Sequence, residues 1–380
     1  MKIGIVCHPS IGGSGLVASQ LGLGLAKLGH DVHFISRTMP FKLVGQEKNI
    51  SFHMVEPITY PLFQDNLYTF ALTAMIIEVA EKYSIDIMHA HYSIPHSLCA
   101  NLASRISRHR FCTVTTIHGT DTKVVGQNKP LYPLNRYSIM KSDCVTTVSE
   151  YQKEHTLEHF HLNTNIEVIH NFIDLDVFSP EFASSQVREQ LATPDEKIIM
   201  HISNFRQPKN TVGVIRAFAR TVGKIRARLV LVGDGPDLEQ VKNLCHDLKL
   251  EDRVTFMGKR QHIEKIIANA DCIFQPSYAE SFGMVALEAM ACCIPVVSSD
   301  LDGIPEVVVH GETGYLGHPD DYDTMADYLV RICSDDVLQK TMGQQGRQRA
   351  QEYFSDHRQI EKYLSCYQKT LTNANFVNWS

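Results

Sequence analysis

Short apolar segments alternate with amphipathic segments along this chain, and the alternation occurs twice. In the first half, runs typical of buried strands lie at residues 2–7, 31–36, 50–55, 86–90, 112–118, 144–149 and 167–170. Helical patterns lie at 16–28, 68–83, 94–107 and 134–141. Such alternation predicts an α/β fold with a parallel, doubly wound sheet, whose ligands bind at the carboxyl ends of the strands.

The same alternation restarts after a polar stretch at residues 181–196. Further strands are predicted at 197–202, 228–232, 253–257, 271–275 and 294–298. Helices are predicted at 211–222, 237–248, 263–268, 284–291, 322–333, 337–353 and 356–370. We therefore expect four segments: a Rossmann-like domain over 1–175, a linker over 176–196, a second Rossmann-like domain over 197–355, and a C-terminal helix over 356–380 that returns to the first domain. The two domains should face a cleft.

Composition excludes several classes of protein. The net charge of −6 argues against a nucleic-acid partner, which would require a basic surface. No apolar run reaches the roughly 20 residues of a membrane span, and the N-terminal run is too short for a signal peptide, so we expect a cytoplasmic protein without a membrane partner. The ten cysteines are scattered and form no CxxC pair, which favours buried structural thiols over a metal site. The sequence leaves open whether the protein is a homodimer.

Two Gly-rich turns follow predicted strands. The first, GGSG at residues 12–15, opens a helix, where backbone N–H groups favour an anion. It is not GxGxxG, and no acidic residue ends the next strand, which disfavours a dinucleotide site. The second, VGDGP at residues 232–236, follows NFRQPK at residues 204–209, where Arg206 and Lys209 could reach a pyrophosphate. Tight turns and a solvated basic loop are the structural alternatives.

The most specific signal is PSYAESFGMVALEA at residues 276–289. Glu280 lies in a strand-exit loop and Glu288 lies two turns along the following helix, so both carboxylates can face one ligand. Ser281 and Gly283 leave backbone N–H groups at the helix N-terminus for a phosphate. Two glutamates at this spacing are common, but the whole motif is not.

These motifs, followed by GIPE at residues 303–306 and GETG at residues 311–314, resemble the GT4 family of retaining glycosyltransferases. The resemblance covers nearly the whole chain and implies a GT-B fold and transfer of a sugar from a nucleotide diphosphate. It implies that Glu280 contacts the sugar hydroxyls, Glu288 the ribose and Lys209 the pyrophosphate. The donor-binding residues that it implies are Gly13, Asn204, Gly233, Ser281, Phe282, Gly283 and Glu288.

Several first-domain segments are similar to the family members that transfer N-acetylglucosamine from UDP-N-acetylglucosamine to L-malate in bacillithiol biosynthesis. They are HPSIGGSG at 8–15, PFK at 40–42, HAHYSIPH at 89–96, TIHGTD at 116–121 and NFID at 171–174. This similarity implies the donor and the acceptor. It places His118 beside the reacting sugar, and the acceptor-binding residues that it implies are Ser14, Tyr92, Thr120 and Arg136. Packing or surface roles are the alternatives for each.

The sequence departs from the family at one position. Many members carry Gly-Arg ahead of the lysine, whereas this chain has Ser203-Asn204, and Arg206 follows two places later. We expect Arg206 to take over the phosphate contact, because an unpaired pyrophosphate charge would reduce transition-state stabilisation. The expected catalytic residues are therefore His118, Glu280, Lys209 and Arg206.

The expected reaction requires neither a metal nor a cofactor. The acceptor hydroxyl would attack the anomeric carbon on the face from which UDP leaves, while cations and helix N-termini stabilise the pyrophosphate. The alternatives are a GT4 transferase with an inositol phosphate or lipid acceptor, a sugar-binding protein without catalysis, and a dinucleotide oxidoreductase. The absence of a signal peptide disfavours the second, and the absence of GxGxxG disfavours the third.

Overall fold

The chain folds around two parallel β-sheets, as the repeated alternation predicts. The computed structural model describes residues 1–9, 13–40, 42–43, 45, 47–58, 67–123, 126 and 128–374. Of the motif residues above, Ser10, Ile11, Gly12 and Phe41 lie outside the described residues. The chain divides into two units: Met1–Asn171 together with the chain from Asp356 onward, and Phe172–Ser355.

The first unit contains a seven-stranded parallel sheet in the order β3-β2-β1-β4-β5-β6-β7. Its strands are β1 (Lys2–Val6), β2 (Asp31–Ser36), β3 (Ile50–Met54), β4 (Ile87–His91), β5 (Cys112–Ile117), β6 (Cys144–Thr147) and β7 (Glu167–Val168). Its helices are α1 (Ser14–Lys27), α2 (Tyr68–Tyr83), α3 (Leu98–Ile106), α4 (Thr120–Lys123), α5 (Tyr132–Lys141) and α6 (Glu150–His159). The central strands β4 and β5 are buried at every residue, as expected for a parallel sheet covered on both faces, although they carry histidines and threonines.

The second unit contains a six-stranded parallel sheet in the order β10-β9-β8-β11-β12-β13. Its strands are β8 (Lys197–Ser203), β9 (Ala227–Gly233), β10 (Val254–Gly258), β11 (Cys272–Gln275), β12 (Val296–Ser299) and β13 (Gly314–Gly317). Its helices are α7 (Ser185–Leu191), α8 (Thr211–Thr221), α9 (Leu238–Asp247), α10 (Glu264–Ile267), α11 (Met284–Ala291), α12 (Ile304–Val307), α13 (Tyr322–Ser334) and α14 (Asp336–Phe354). Both units are therefore Rossmann-like, as expected.

The last helix, α15 (Asp356–Asn373), packs on the first unit, which confirms the predicted return. Tyr363 and Tyr367 on this helix are buried, and the Tyr367 hydroxyl lies 2.7 Å from Nδ1 of His89 on β4. Cys366 Sγ lies 3.0 Å from Cys144 Sγ on β6. None of the helices among the described residues is long and apolar enough to cross a membrane.

Several local features differ from the sequence predictions, including the short helices α4 and α12, which were not predicted. The helix expected at 94–107 begins as α3 at Leu98, because the residue before Pro95 is disfavoured in helical conformation and Ile94 is extended. Helix α6 was not predicted from its weak apolar periodicity, although Ser149 caps it by accepting a hydrogen bond from Gln152 N at 3.1 Å. Strand β13 was not predicted either, because its GYLG sequence lacks a strand pattern.

The polar stretch expected as part of a linker lies inside the second unit. It carries α7, and Arg188 on this helix donates to Asp271 Oδ2 at 2.7 Å. The buried Glu196 accepts from Arg228 Nε at 2.9 Å. These ion pairs attach the polar segment to the sheet of the second unit, which composition alone could not indicate.

Candidate functional site

The carboxyl ends of β8 and β11 form one candidate site in the second unit. The strand order reverses between these neighbours, so the loops that follow them leave a crevice where α/β sheets bind ligands. The loop after β8 carries residues 204–209, and the loop after β11 carries residues 276–283. Two hydrogen bonds join the loops: Tyr278 N donates to Pro208 O at 2.9 Å, and the side-chain amide nitrogen Nδ2 of Asn210 donates to Pro276 O at 3.0 Å.

Lys209 and Glu280 form an ion pair in this crevice. Lys209 Nζ donates to Glu280 Oε1, and the two side chains are 23% and 20% exposed, so both remain accessible to a ligand. The backbone of Glu280 is also fixed, because its N–H donates to Asp302 Oδ2 at 3.0 Å. The structure thus joins two of the four predicted catalytic residues. A third, Arg206, is exposed on the same loop as Lys209.

At Gly233 the loop after β9 comes into close contact with the end of β8. Its φ is +130°, and a Cβ built on it would lie 1.8 Å from the carbonyl oxygen of Ser203, so only glycine fits. In addition, Asp237 N donates to Phe205 O at 3.0 Å. The loop after β9 therefore sits beside the exposed Asn204, as a backbone surface that a ligand can approach closely.

The residues at the start of α11 divide between core and site. Phe282 is 2% exposed and its ring packs against Phe354, so its side chain belongs to the core. Gly283, with φ of +102°, starts the helix, and Ser281 before it is partly exposed. Glu288 is 4% exposed, which makes it a buried carboxylate in the second turn.

The carboxyl ends of β1, β4 and β5 form a second candidate site, in the first unit. The order of this sheet reverses between β1 and β4. Ser14 at the start of α1 donates its hydroxyl to Tyr92 Oη at 2.7 Å, and the Tyr92 ring lies 5.3 Å from the His118 ring. Gly13, exposed with φ of +62°, precedes Ser14. Four of the predicted residues therefore meet here.

The remaining two predicted acceptor ligands, Thr120 and Arg136, lie on helices α4 and α5. Thr120 is exposed at the start of α4. Arg136 is partly buried on α5, where its Nε donates to Phe160 O at 3.0 Å. Their roles as acceptor ligands stay predictions.

Two further residues shape the first-unit site and were not singled out from the sequence. Asp121 accepts from Ser93 N at 3.2 Å and from Gly119 N at 2.9 Å, and burial raises the pKa of its carboxyl to about 6. His91 lies 2.9 Å, between ring nitrogens, from His118. Both residues lie within the HAHYSIPH and TIHGTD segments, but nothing in a linear motif tells which of its polar residues meet.

Within the described part of the chain, no three potential ligands converge in a way that could hold a metal ion. Asp300 and Asp302 have the spacing of a carboxylate pair, yet Asp302 Oδ2 accepts the Glu280 N–H. The cationic groups of the second-unit site are Lys209 and Arg206. The site can therefore offer cations and backbone N–H groups to an anionic ligand.

Two family models together match nearly the whole chain. Residues 11–177 match the family model "Glycosyltransferase Family 4", and residues 184–349 match "Glycosyl transferases group 1". The chain is 41% identical to the N-acetyl-alpha-D-glucosaminyl L-malate synthase of Bacillus anthracis, over 98% of this chain and 97% of that protein. It is 26% identical to a D-inositol 3-phosphate glycosyltransferase of Corynebacterium aurimucosum, over 90% of this chain and 87% of that protein.

Solved structures share the fold. Sucrose-phosphate synthase from Thermosynechococcus elongatus aligns with a TM-score of 0.82 at 23% identity, over 98% of this chain and 100% of that chain. Anabaena Alr3699/HepE in complex with UDP and glucose aligns with a TM-score of 0.80 at 22% identity, over 97% and 99%. These similarities confirm the expected GT-B class of fold. With two Rossmann-like units and a full-length relative at 41% identity, the chain belongs to the family 4 glycosyltransferases.

Proposed function

We propose that this glycosyltransferase transfers N-acetylglucosamine from UDP-N-acetylglucosamine to the hydroxyl of L-malate, with retention of configuration, as the first step of bacillithiol biosynthesis. The observation that carries the proposal is the 41% identity, over nearly both full lengths, to the Bacillus anthracis N-acetyl-alpha-D-glucosaminyl L-malate synthase. Relatives named for inositol 3-phosphate are less similar: the Corynebacterium aurimucosum protein is 26% identical over 90% of this chain, and that of Mycobacterium tuberculosis is 34% identical over only 44% of it.

On the donor side, the proposal assigns the pyrophosphate to Lys209 and Arg206, the sugar hydroxyls to Glu280 and the ribose to Glu288. The convergence of the loops after β8, β9 and β11 supports this assignment. Lys209 is already held beside Glu280, so a donor bound there would meet a cation and a carboxylate in fixed positions. Asn204, Gly233, Ser281, Phe282 and Gly283 complete the donor site, Phe282 through its backbone. Gly13 lies in the first unit and stays an expectation from the family resemblance.

On the acceptor side, malate needs partners for two carboxylates and one hydroxyl. We assign these to Ser14, Tyr92, Thr120 and the guanidinium of Arg136, with His118 beside the sugar. The bond between Ser14 and Tyr92 supports a common role for these two residues. The hydroxyl oxygen attacks the anomeric carbon and the bond to UDP breaks on the same face. The hydroxyl proton passes to a phosphate oxygen of the departing UDP.

The test is UDP release measured with UDP-N-acetylglucosamine and a panel of acceptors that includes L-malate, D-malate, other hydroxy acids and inositol 3-phosphate. We expect turnover with L-malate, in the presence of EDTA as well as without it, because cationic side chains balance the pyrophosphate. Turnover with inositol 3-phosphate but not with L-malate would show that the proposed acceptor is wrong. Activity that EDTA abolishes and magnesium restores would contradict the metal-free account.

A cytoplasmic location stays a prediction from the sequence, and a homodimer is a possibility that the sequence leaves open. Light scattering coupled to size-exclusion chromatography measures the mass in solution. A mass of two chains is the expected result for the dimer.

A further inference from the structure

Three histidines lie in a row beneath Tyr92 in the first unit. His89 and His91 are two residues apart on β4, so their side chains point to the same face of the sheet, and their ring centroids are 4.5 Å apart. The His91 and His118 rings stack at 5.1 Å. Burial lowers the pKa of His89 and of His118 to about 3 and holds the pKa of His91 well below its ordinary value. All three rings are therefore neutral at neutral pH.

A neutral imidazole has one donor nitrogen and one acceptor nitrogen, so each hydrogen bond constrains the next ring. Both nitrogens of His89 have hydroxyl partners, Tyr367 Oη and Thr116 Oγ1, each at 2.7 Å. Nδ1 of His91 faces Nε2 of His118 at 2.9 Å. Nε2 of His91 is buried and has no hydrogen-bond partner among the described residues.

The environment of His91 Nε2 decides which ring nitrogen of His91 carries the proton. If His91 carried its proton on Nε2, an N–H group would be buried without an acceptor, which native structures rarely tolerate. If it carries the proton on Nδ1, only an acceptor lone pair is left without a partner, which is the less costly case. The second arrangement makes His91 donate to His118 Nε2. His118 must then carry its own proton on Nδ1.

We infer that His91 is a positioning residue that holds His118 as the Nδ1–H tautomer, so that His118 presents a hydrogen-bond donor to a substrate oxygen. The inference rests on the proposed function for the presence of a substrate beside His118. Among the described residues, none forms a hydrogen bond with His118 Nδ1, and the ring is partly exposed next to Tyr92. A donor at this place stabilises negative charge on a sugar nucleotide oxygen. It leaves the acceptor proton to the departing phosphate.

The first experiment is independent of activity. Two-bond ¹H–¹⁵N correlation spectra of the full-length protein labelled at histidine nitrogens report which ring nitrogen carries the proton. The His118→Gln spectrum assigns the His118 signals, and the His91→Gln spectrum assigns those of His91. We expect the proton of His118 on Nδ1 at neutral pH. A proton on Nε2 would overturn the inference, whether or not the proposed substrates are correct.

The second experiment compares substitutions at His91 by their kcat and KM. In His91→Asn the amide nitrogen can take the place of Nδ1 and donate to His118, so kcat should stay close to wild type. His91→Leu removes the donor, and kcat should fall about ten-fold or more with a smaller change in donor KM. In His91→Asp the carboxylate accepts from His118 Nε2–H and so forces the opposite tautomer of His118. This variant should lose at least as much activity as His91→Leu.

His33→Asn provides the matched control, because His33 is a buried strand histidine of the same unit that lies outside the row. It should leave kcat unchanged. Thermal unfolding of each variant separates loss of fold from loss of function. Equal kcat for folded Asn and Leu variants would show that the hydrogen bond from His91 does not matter. Wild-type protein without transferase activity on the proposed substrates would instead reject the proposed function, and the NMR result would still decide the tautomer.

Discussion

At the scale of single residues, the two candidate sites differ in how their charges are held. In the second unit, Lys209 and Glu280 pair directly, and Glu288 is a carboxylate buried in the second turn of α11. In the first unit, Ser14 and His118 beside Tyr92 are neutral, the buried Asp121 carboxyl accepts bonds from the backbone, and Arg136 is the predicted cation. The donor site therefore contains a cation paired with a carboxylate, whereas the carboxylates of the acceptor are assigned to the single guanidinium of Arg136.

Glu288→Ala should weaken use of the sugar nucleotide. A hydrogen bond from a ribose hydroxyl to a charged carboxylate contributes about 1.5–3 kcal/mol, which corresponds to roughly 10- to 150-fold in donor kcat/KM. Steady-state kinetics with varied UDP-N-acetylglucosamine measure this loss. The exposed Glu312→Ala serves as control and should behave as wild type. Unchanged donor kinetics in a folded Glu288→Ala protein would remove Glu288 from the site.

Arg136→Met should raise the malate KM by about ten-fold or more while UDP affinity changes little, because it deletes the charge and keeps the bulk of the side chain. Arg136→Lys should restore part of the loss, since an ammonium cannot form the planar bidentate contact. The Nε bond to Phe160 O is lost in Arg136→Met too, so unfolding temperatures must be compared. Normal malate dependence, or an equal loss of UDP binding, would exclude Arg136 as the acceptor ligand.

At the scale of elements, each site depends on how strands end and helices begin. The loops after β8, β9, β11 and β12 are held by backbone bonds to one another. Helix α15 acts differently: it comes from the far end of the chain and places Tyr367 against His89. The histidine row therefore depends on a helix that no local motif of the first unit specifies.

Gly233→Ala should destabilise the second unit. The new Cβ meets the Ser203 carbonyl in a strained backbone conformation, and neither backbone atom can rotate away as a flexible side chain would. We expect the unfolding temperature to fall by about 5 °C or more. Gly223→Ala is the control, because a Cβ there has open space around it, and its unfolding temperature should stay the same or rise. Calorimetry that finds equal stability for both variants would contradict the close approach at Gly233.

At the scale of the whole molecule, buried neutral histidines occur in both units. Burial lowers the pKa of His89 and His118 to about 3, and that of His96 and His201 to about 4. The first three belong to the first unit and His201 to the second. The four groups must be considered together, because each binds a proton in the unfolded chain at a pH where the folded chain does not.

This asymmetry predicts a loss of stability in mild acid. Below the unfolded pKa of about 6.5, the unfolded state binds more protons, so the free energy of unfolding decreases as pH falls, by up to about 1.4 kcal/mol per pH unit for each histidine. Asp121 opposes this between about pH 4 and 6, because its folded pKa is raised to about 6, but it is one group against these four histidines and His91, whose pKa is also lowered. Urea unfolding midpoints should therefore be lower at pH 5 than at pH 7.

His201→Gln should reduce this acid sensitivity, since the variant has no imidazole to protonate there, whereas the exposed His357→Gln should not. The difference between the midpoints at pH 7 and pH 5, measured for each protein, is the readout. A midpoint that is independent of pH in wild type would mean that the buried histidines keep ordinary pKa values.

The sequence by itself determined the two parallel sheets, the family and the position of the second-unit candidate residues at strand ends, because each rests on local signals. Apolar periodicity marks strands and helices, and the glycine and glutamate motifs lie at strand ends, which parallel sheets bring to one edge. Residues such as Lys209 and Glu280 are 71 positions apart, but they follow adjacent strands of one sheet.

Only the tertiary structure decided which polar residues of the first unit meet, and where the polar segment before β8 belongs. The bond between His89 and Tyr367 joins residues 278 positions apart, and that between Ser14 and Tyr92 joins residues 78 apart. The orientation of His91 toward His118, and the attachment of α7 by Arg188 to Asp271, also arise from packing. Such contacts depend on strand order and on side-chain burial in three dimensions, and neither leaves a periodic pattern in the sequence.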